Sequence, residues 1–209
     1  MIKYLFSNID KINGFNEQQI KYLSKDLKNS KSILFVPGDY DKEKYIIYKD
    51  KIISWFNNIN IYFKESYLAN FEDELKAYDV IFLMGGNPIN QIEIIKNINL
   101  KKIINKASLV IGVSAGAINS SNEAIYYNDY NEKIENYKGL GLTNINVYPH
   151  FDINNNEFVK EVKMVSKIKS LIALPNDSFI RIDNKSIELV GDCFKVDKEK
   201  VTKINYTRS

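Results

Sequence analysis

Ser114 stands in the run Leu109-Val110-Ile111-Gly112-Val113-Ser114-Ala115-Gly116-Ala117-Ile118-Asn119, where an apolar segment of strand character gives way to small residues that can open a helix. Gly112-x-Ser114-x-Gly116 is the spacing of a nucleophile elbow. A serine at the tip of a sharp strand-to-helix turn crowds the backbone around it, and glycine on either side removes the clash. The N–H groups of the first helical turn lack intrahelical acceptors and point at whatever the serine attacks. The same two glycines could equally serve only to pack a helix on a sheet. A serine hydroxyl is a weak nucleophile at neutral pH and needs a base. His150 is the sole histidine and follows a strand-like segment, Asn146-Val147-Tyr148, that ends at Pro149-His150-Phe151-Asp152. A third group must orient the imidazole. Asp129, Asp152 and Asp177 all occupy suitable loop positions, and spacing does not choose among them. Asp152, two residues from His150, would point alongside the ring if the segment stays extended.

These residues need a frame that brings strand ends together. Residues 2–6 read as a first strand and 17–28 as a helix with Ile20, Leu23 and Leu27 at spacings of three and four. Residues 32–36 form a short buried strand that stops at Pro37-Gly38-Asp39, and 43–56 a helix with Ile47, Ile52, Trp55 and Phe56 on one face, an aromatic stripe suited to core packing. Residues 61–63 and 80–84 are further strands, the second running into Gly85-Gly86-Asn87-Pro88 and then a long helix over 89–104. Strand and helix in alternation are the signature of a parallel sheet, with ligands at the C-terminal ends of its strands. Gly85 and Gly86 fall at one such end. Residues 120–138 are polar, aromatic and poorly periodic, and read as a loop-rich excursion over that rim. A helix over 157–169 and a strand over 171–174 follow, ending at the polar corner Pro175-Asn176-Asp177. Residues 179–182, 187–190 and 194–196 read as a short antiparallel C-terminal edge, and 198–209 as a solvated tail.

The chain has 209 residues, 44% hydrophobic and 26% charged, which suits one α/β domain over 1–209 with its own core. Lysines are spread along it and the net charge is only +3, which argues against a nucleic-acid partner. Cys193 is a lone cysteine without a metal-binding neighbour, so a reducing, cytoplasmic setting is expected. The N-terminus lacks a signal-peptide pattern, and no apolar run approaches a membrane span.

The chain resembles the serine peptidases that include dipeptidase E and cyanophycinase. The resemblance rests on Leu5-Phe6-Ser7-Asn8, Phe35-Val36-Pro37, Gly85-Gly86-Asn87, Gly112-Val113-Ser114-Ala115-Gly116-Ala117, Asn128-Asp129, Pro149-His150-Phe151 and Leu174-Pro175, in that order. It implies a fold related to class I glutamine amidotransferases: a three-layer α/β structure, mostly parallel, with helices on both faces of a twisted sheet. It also implies that Ser114 is the nucleophile, His150 the general base and Asp129 the third member, with the N–H groups of Gly86 and Ala115 as the oxyanion hole. The expected substrate is a small peptide, and no metal or organic cofactor is implied. Aspartyl specificity needs a cationic anchor, yet the only arginines are Arg181 and Arg208 and the stretch before Asp129 holds none; a lysine could substitute, but as a point charge rather than a bidentate fork. Asn87, Asn119 and Asp177 lie on the same rim and could hold a substrate amino group, or serve as capping and turn residues. Two other readings are a non-catalytic binding protein for a small molecule or peptide and an amidotransferase-like domain serving a partner.

Overall fold

Which segments become the central strands is decided by four largely apolar runs. The computed structural model describes residues 1–70 and 75–204, and the backbone of 207–208. In chain order come β1 (Ile2–Phe6), β2 (Ser32–Gly38), β3 (Glu65–Leu68), β4 (Val80–Gly86) and β5 (Leu109–Val113); β3 is the largely exposed outer strand beside β2, and the other four are the apolar runs. The helices α1 (Glu17–Asp26), α2 (Lys42–Asn58), α3 (Pro88–Asn97) and α4 (Ala115–Asn119) alternate with them. There follow a hairpin of β6 (Glu123–Asn128) and β7 (Lys133–Lys138), then β8 (Val147–Tyr148), α5 (Asn156–Ser166) and β9 (Leu171–Ala173). The chain closes with β10 (Phe179–Ile182), β11 (Ile187–Val190), β12 (Cys193–Asp197), β13 (Lys200–Ile204) and β14 (Thr207–Arg208).

The main sheet has the order β14-β11-β10-β1-β5-β4-β2-β3. Pairings from β1 through β3 are parallel, and β10, β11 and β14 add an antiparallel edge. β5 is central, between β1 and β4, so the residue after it emerges mid-sheet, flanked by the ends of both neighbours. Alternation along the strands feeds two cores. Tyr4, Phe6, Phe35, Phe82 and Ile111 face α1 and α2 through Leu23, Ile52 and Phe56. Leu34, Ile81, Leu83 and Val110 face α3 through Ile92 and Ile95. Helices therefore cover both faces, as the alternation predicts. A smaller sheet, β13-β12-β9-β8, packs with α5 over Phe151, Val162, Val165 and Phe194.

Several local expectations need correction. The third strand lies at Glu65–Leu68 rather than over 61–63, because β2 begins pairing only at Ser32 opposite Glu65. The helix expected over 89–104 stops at Asn97. Asn99 takes φ 52°, and two short 3-10 turns, Leu100–Lys102 and Ile104–Lys106, complete the segment. Residues 120–138 carry a β-hairpin, with Ala124 and Ile125 buried on its inner strand, not an irregular loop. Ile47, expected on the buried face of α2, is 66% exposed. Residues 194–196 join the smaller sheet through β9 instead of the C-terminal edge. Within the expected tail, Lys200–Ile204 pairs with β12 and Thr207–Arg208 with β11; residues 205, 206 and 209 lie outside the described set.

Candidate active site

Ser114 leaves β5 with φ 49° and ψ −106°, a strained conformation for a residue with a Cβ, and caps α4. The strain is held from both sides. Its N–H donates to the Phe6 carbonyl (3.0 Å), and its carbonyl accepts from Ala117 and Ile118. The helix must start within contact of β4: a Cβ on Gly116 would run into the carbonyl and side chain of Leu83. Only glycine allows that approach, which gives the second glycine of the motif its reason.

Three strand ends converge on Ser114. β1 continues into Ser7, which is fully buried. Its hydroxyl donates to the Leu174 carbonyl (2.9 Å) and accepts the His150 N–H (2.8 Å). This pins the backbone of His150, which takes φ 60° just after β8. His150 Nε2 then lies 2.8 Å from Ser114 Oγ. The other ring nitrogen, Nδ1, lies 3.1 Å from Asn176 Oδ1. With a carbonyl-type oxygen facing it, Nδ1 carries the proton and Nε2 is left to accept the serine proton. Asn176 is placed by its neighbour. The Asp177 N–H donates to Asn8 Oδ1 (2.7 Å), the Asp177 carbonyl accepts from Asn16, and Asp177 takes φ 68°.

Beside the serine, β4 ends at Gly85-Gly86. Tyr45 Oη donates to the Gly85 carbonyl (2.8 Å), and Gly85 approaches the Ser114 Cβ. In a trans peptide the C=O and the next N–H point in opposite directions. With its carbonyl bound to Tyr45, the Gly85–Gly86 peptide presents the Gly86 N–H on the other side. Gly86 has φ 151°, and a Cβ there would strike the Tyr45 hydroxyl. Burial and the neighbouring Asp39 carboxylate push the Tyr45 phenol up, so it stays protonated and able to donate.

The other expected residues fall into place as follows. Ala115 is the first residue of α4, where an N–H has no intrahelical acceptor. Asp129, at the tip of the β6–β7 hairpin, lines the same cavity as Ser114 and His150. It makes no hydrogen bond to the ring, and the position expected for a carboxylate at Nδ1 is taken by Asn176. Asp152 turns away to accept from the Asn154 N–H, and the Asp177 side chain is exposed. Asn119 lies inside the protein. It is fully buried, its Nδ2 donating to the Pro88 carbonyl and Gln91 and its Oδ1 accepting from Tyr137. Asn87 lines the cavity, with its Oδ1 capping α3 through the N–H groups of Ile89 and Asn90. Ser7, Tyr45 and Asn176 are the residues that sequence reasoning passed over. Pro175-Asn176-Asp177 is visible as a strand-end corner, but a search for carboxylates skips the amide.

Two cavities meet at this pair. One, of about 280 Å³, runs under α2, and the other, of about 420 Å³, opens toward the hairpin and α5. The second carries Asp129 and Glu161; burial raises the Glu161 carboxyl, the Tyr148 hydrogen bond opposes that, and Asp129 adds to it. Among the described residues no cluster of three or more His, Cys, Asp or Glu could hold a metal ion, and no helix is long and apolar enough to cross a membrane.

A serine at a strained strand-to-helix turn, bonded to a histidine whose far nitrogen is itself held, is the arrangement that serine hydrolases on α/β sheets use. The chain belongs to peptidase family S51, whose model matches residues 5–190, and with it to the serine-type peptidases. Two solved structures share the fold. A peptidase from an acI-B1 Actinobacterium superposes with a TM-score of 0.68 at 15% identity, over 100% of this chain and 96% of that one. A protein assigned to peptidase E from Listeria monocytogenes EGD-e does so with a TM-score of 0.63 at 17% identity, over 90% and 96%. No curated protein sequence matches the chain.

Proposed function

We propose that the chain hydrolyses small peptides through an acyl-enzyme formed on Ser114. The observation that carries this is the 2.8 Å contact of Ser114 Oγ with His150 Nε2 at the elbow. As the hydroxyl attacks the scissile carbonyl, Nε2 takes its proton, and the charge that develops on the ring is held by the Nδ1–H bond to Asn176. The carbonyl oxygen, now an oxyanion, is received by the N–H groups of Ala115 and Gly86. One such donor contributes roughly 3 kcal/mol to the barrier. Collapse of the tetrahedral species transfers the proton from Nε2 to the leaving amine. Water then repeats the sequence on the ester, with His150 again as base, and frees the acid. The Asn176 amide replaces the carboxylate of the usual triad, as asparagine does in papain-like peptidases. Asp129 would act through the field of the second cavity rather than on the ring.

Ser114→Ala and His150→Ala are each expected to abolish peptide hydrolysis while circular dichroism and melting remain those of the parent. Hydrolysis by purified Ser114→Ala at the parent rate overturns the mechanism.

A further inference from the structure

We infer that the cavity under α2 is a specificity pocket for a bulky apolar or aromatic side chain next to the scissile bond. Resting on the peptidase reading above, the inference makes this chain a peptidase for apolar rather than aspartyl peptides. The cavity touches Ser114, Gly86 and His150, so whatever fills it is joined within a few bonds to the carbonyl under attack. Most of its apolar wall comes from two elements, with Ile9 and Val113 completing it. Tyr45, Tyr48, Ile52 and Trp55 recur along α2 at spacings of three, four and three, which puts them on one helical stripe. Phe82 and Met84 of β4 form the opposite side. A volume of about 280 Å³ lies at the small end of ligand pockets, a size for one side chain rather than an extended ligand.

Two lysines line the cavity, and neither is a buried cation facing into it. The Lys44 ammonium at its rim is paired with Asp39 at 3.1 Å. Lys11 stands exposed at the mouth, where water screens it. The arginine fork that a buried carboxylate would require is missing from the site. Arg181 is tied to Asp26, Asp183 and Glu188, and Arg208 belongs to β14, separated from β5 by β11, β10 and β1. A carboxylate side chain moving past Lys11 toward Ile52 and Phe82 would shed its water with no buried, unpaired cation to receive it, which is costly, whereas a ring or branched alkyl group would exchange water for apolar contact.

The test is hydrolysis of two dipeptide series, X–Ala and Ala–X, by the full chain, with free alanine measured and fluorophosphonate labelling of Ser114 run in parallel. At one of the two positions Phe, Tyr, Trp, Leu or Met is expected to exceed Asp at least about tenfold in kcat/KM. Trp55→Ala and Tyr48→Ala are expected to lower kcat/KM for the aromatic members by about tenfold to a hundredfold, with Ala–Ala changed far less. Circular dichroism spectra of both variants are expected to match that of the parent, which shows that the chain is folded. Best turnover of an Asp dipeptide, or an equal loss for every X, overturns the pocket assignment. So does labelling without discrimination at either position. Absence of both labelling and hydrolysis in the parent refutes instead the peptidase reading beneath it.

Discussion

Removing the amide of Asn176 separates the arrangement seen here from one in which a carboxylate orients the histidine. Asn176 Oδ1 accepts from His150 Nδ1 at 3.1 Å, at an exposed position. A neutral hydrogen bond in such a setting contributes about 0.5–1.5 kcal/mol net. Asn176→Ala should therefore slow acylation by about twofold to about tenfold, since the ring loses one restraint but remains positioned through its backbone bond to Ser7. Loss of the carboxylate from a charged triad costs far more, about 10⁴-fold in rate. The assay is the second-order rate constant for fluorophosphonate labelling of Ser114, which reads acylation without requiring a known substrate. Asn176→Asp keeps the acceptor and adds a charge that stabilises the imidazolium, so it should label at least as fast as the parent. Asp129→Asn should change the rate less than Asn176→Ala does. If Asn176→Ala is silent and Asp129→Asn falls by more than about a thousandfold, a carboxylate orients the ring in the working enzyme and the reasoning is refuted.

Three further outcomes are expected. Tyr45→Phe frees the Gly85 carbonyl and loosens the Gly85–Gly86 peptide, so kcat should fall by about fivefold with KM unchanged, in steady-state kinetics on any cleaved peptide. Arg181→Ala leaves Asp26, whose side chain is 5% exposed, without its cation; denaturant unfolding should show a loss of about 3–5 kcal/mol, while labelling per folded molecule is unchanged. The Asp79 carboxyl is held below its usual range by the backbone N–H groups of Lys31 and Ser32, against burial. A depressed folded pKa contributes stability that is present above the unfolded value and lost as pH falls through the folded one. Urea midpoints of parent and Asp79→Asn should thus differ most above the ordinary carboxylate range and converge as pH falls below it.

The parts of the molecule that depend on short-range pattern were legible in the residues. Short apolar runs read as buried strands, and the β10–β11 pair of the C-terminal edge followed from the turn residues Asp183-Asn184, whereas Gly191-Asp192 leads into the smaller sheet. Gly112-x-Ser114-x-Gly116 marked the elbow, and Gly116 is where α4 comes against Leu83 of β4. The β6–β7 hairpin was hidden because its exposed strand, Lys133–Lys138, carries charge on both sides of the ribbon, which erases the alternation. Residues 198–209 look like solvated chain for the same reason: Lys200, Thr202 and Lys203 are polar, yet their backbone completes β12. The role of Asn176 depends on where Ser7 and Asn8 hold His150 and Asp177, contacts that span 143 and 169 residues and leave no local trace. The aromatic stripe of α2 reads as core because periodicity cannot distinguish a helix face packed on a sheet from one overhanging a cavity. Phe56 belongs to the first kind, and Tyr48 and Trp55 also line the second.

The central claim is that Ser114 is a nucleophile activated by His150. Intact-mass and peptide mapping after fluorophosphonate treatment test it most directly. The account predicts one adduct per chain, located on Ser114, absent from Ser114→Ala and slowed by at least about a thousandfold in His150→Ala. An adduct that forms elsewhere, or one that forms on Ser114 at the parent rate without His150, contradicts it.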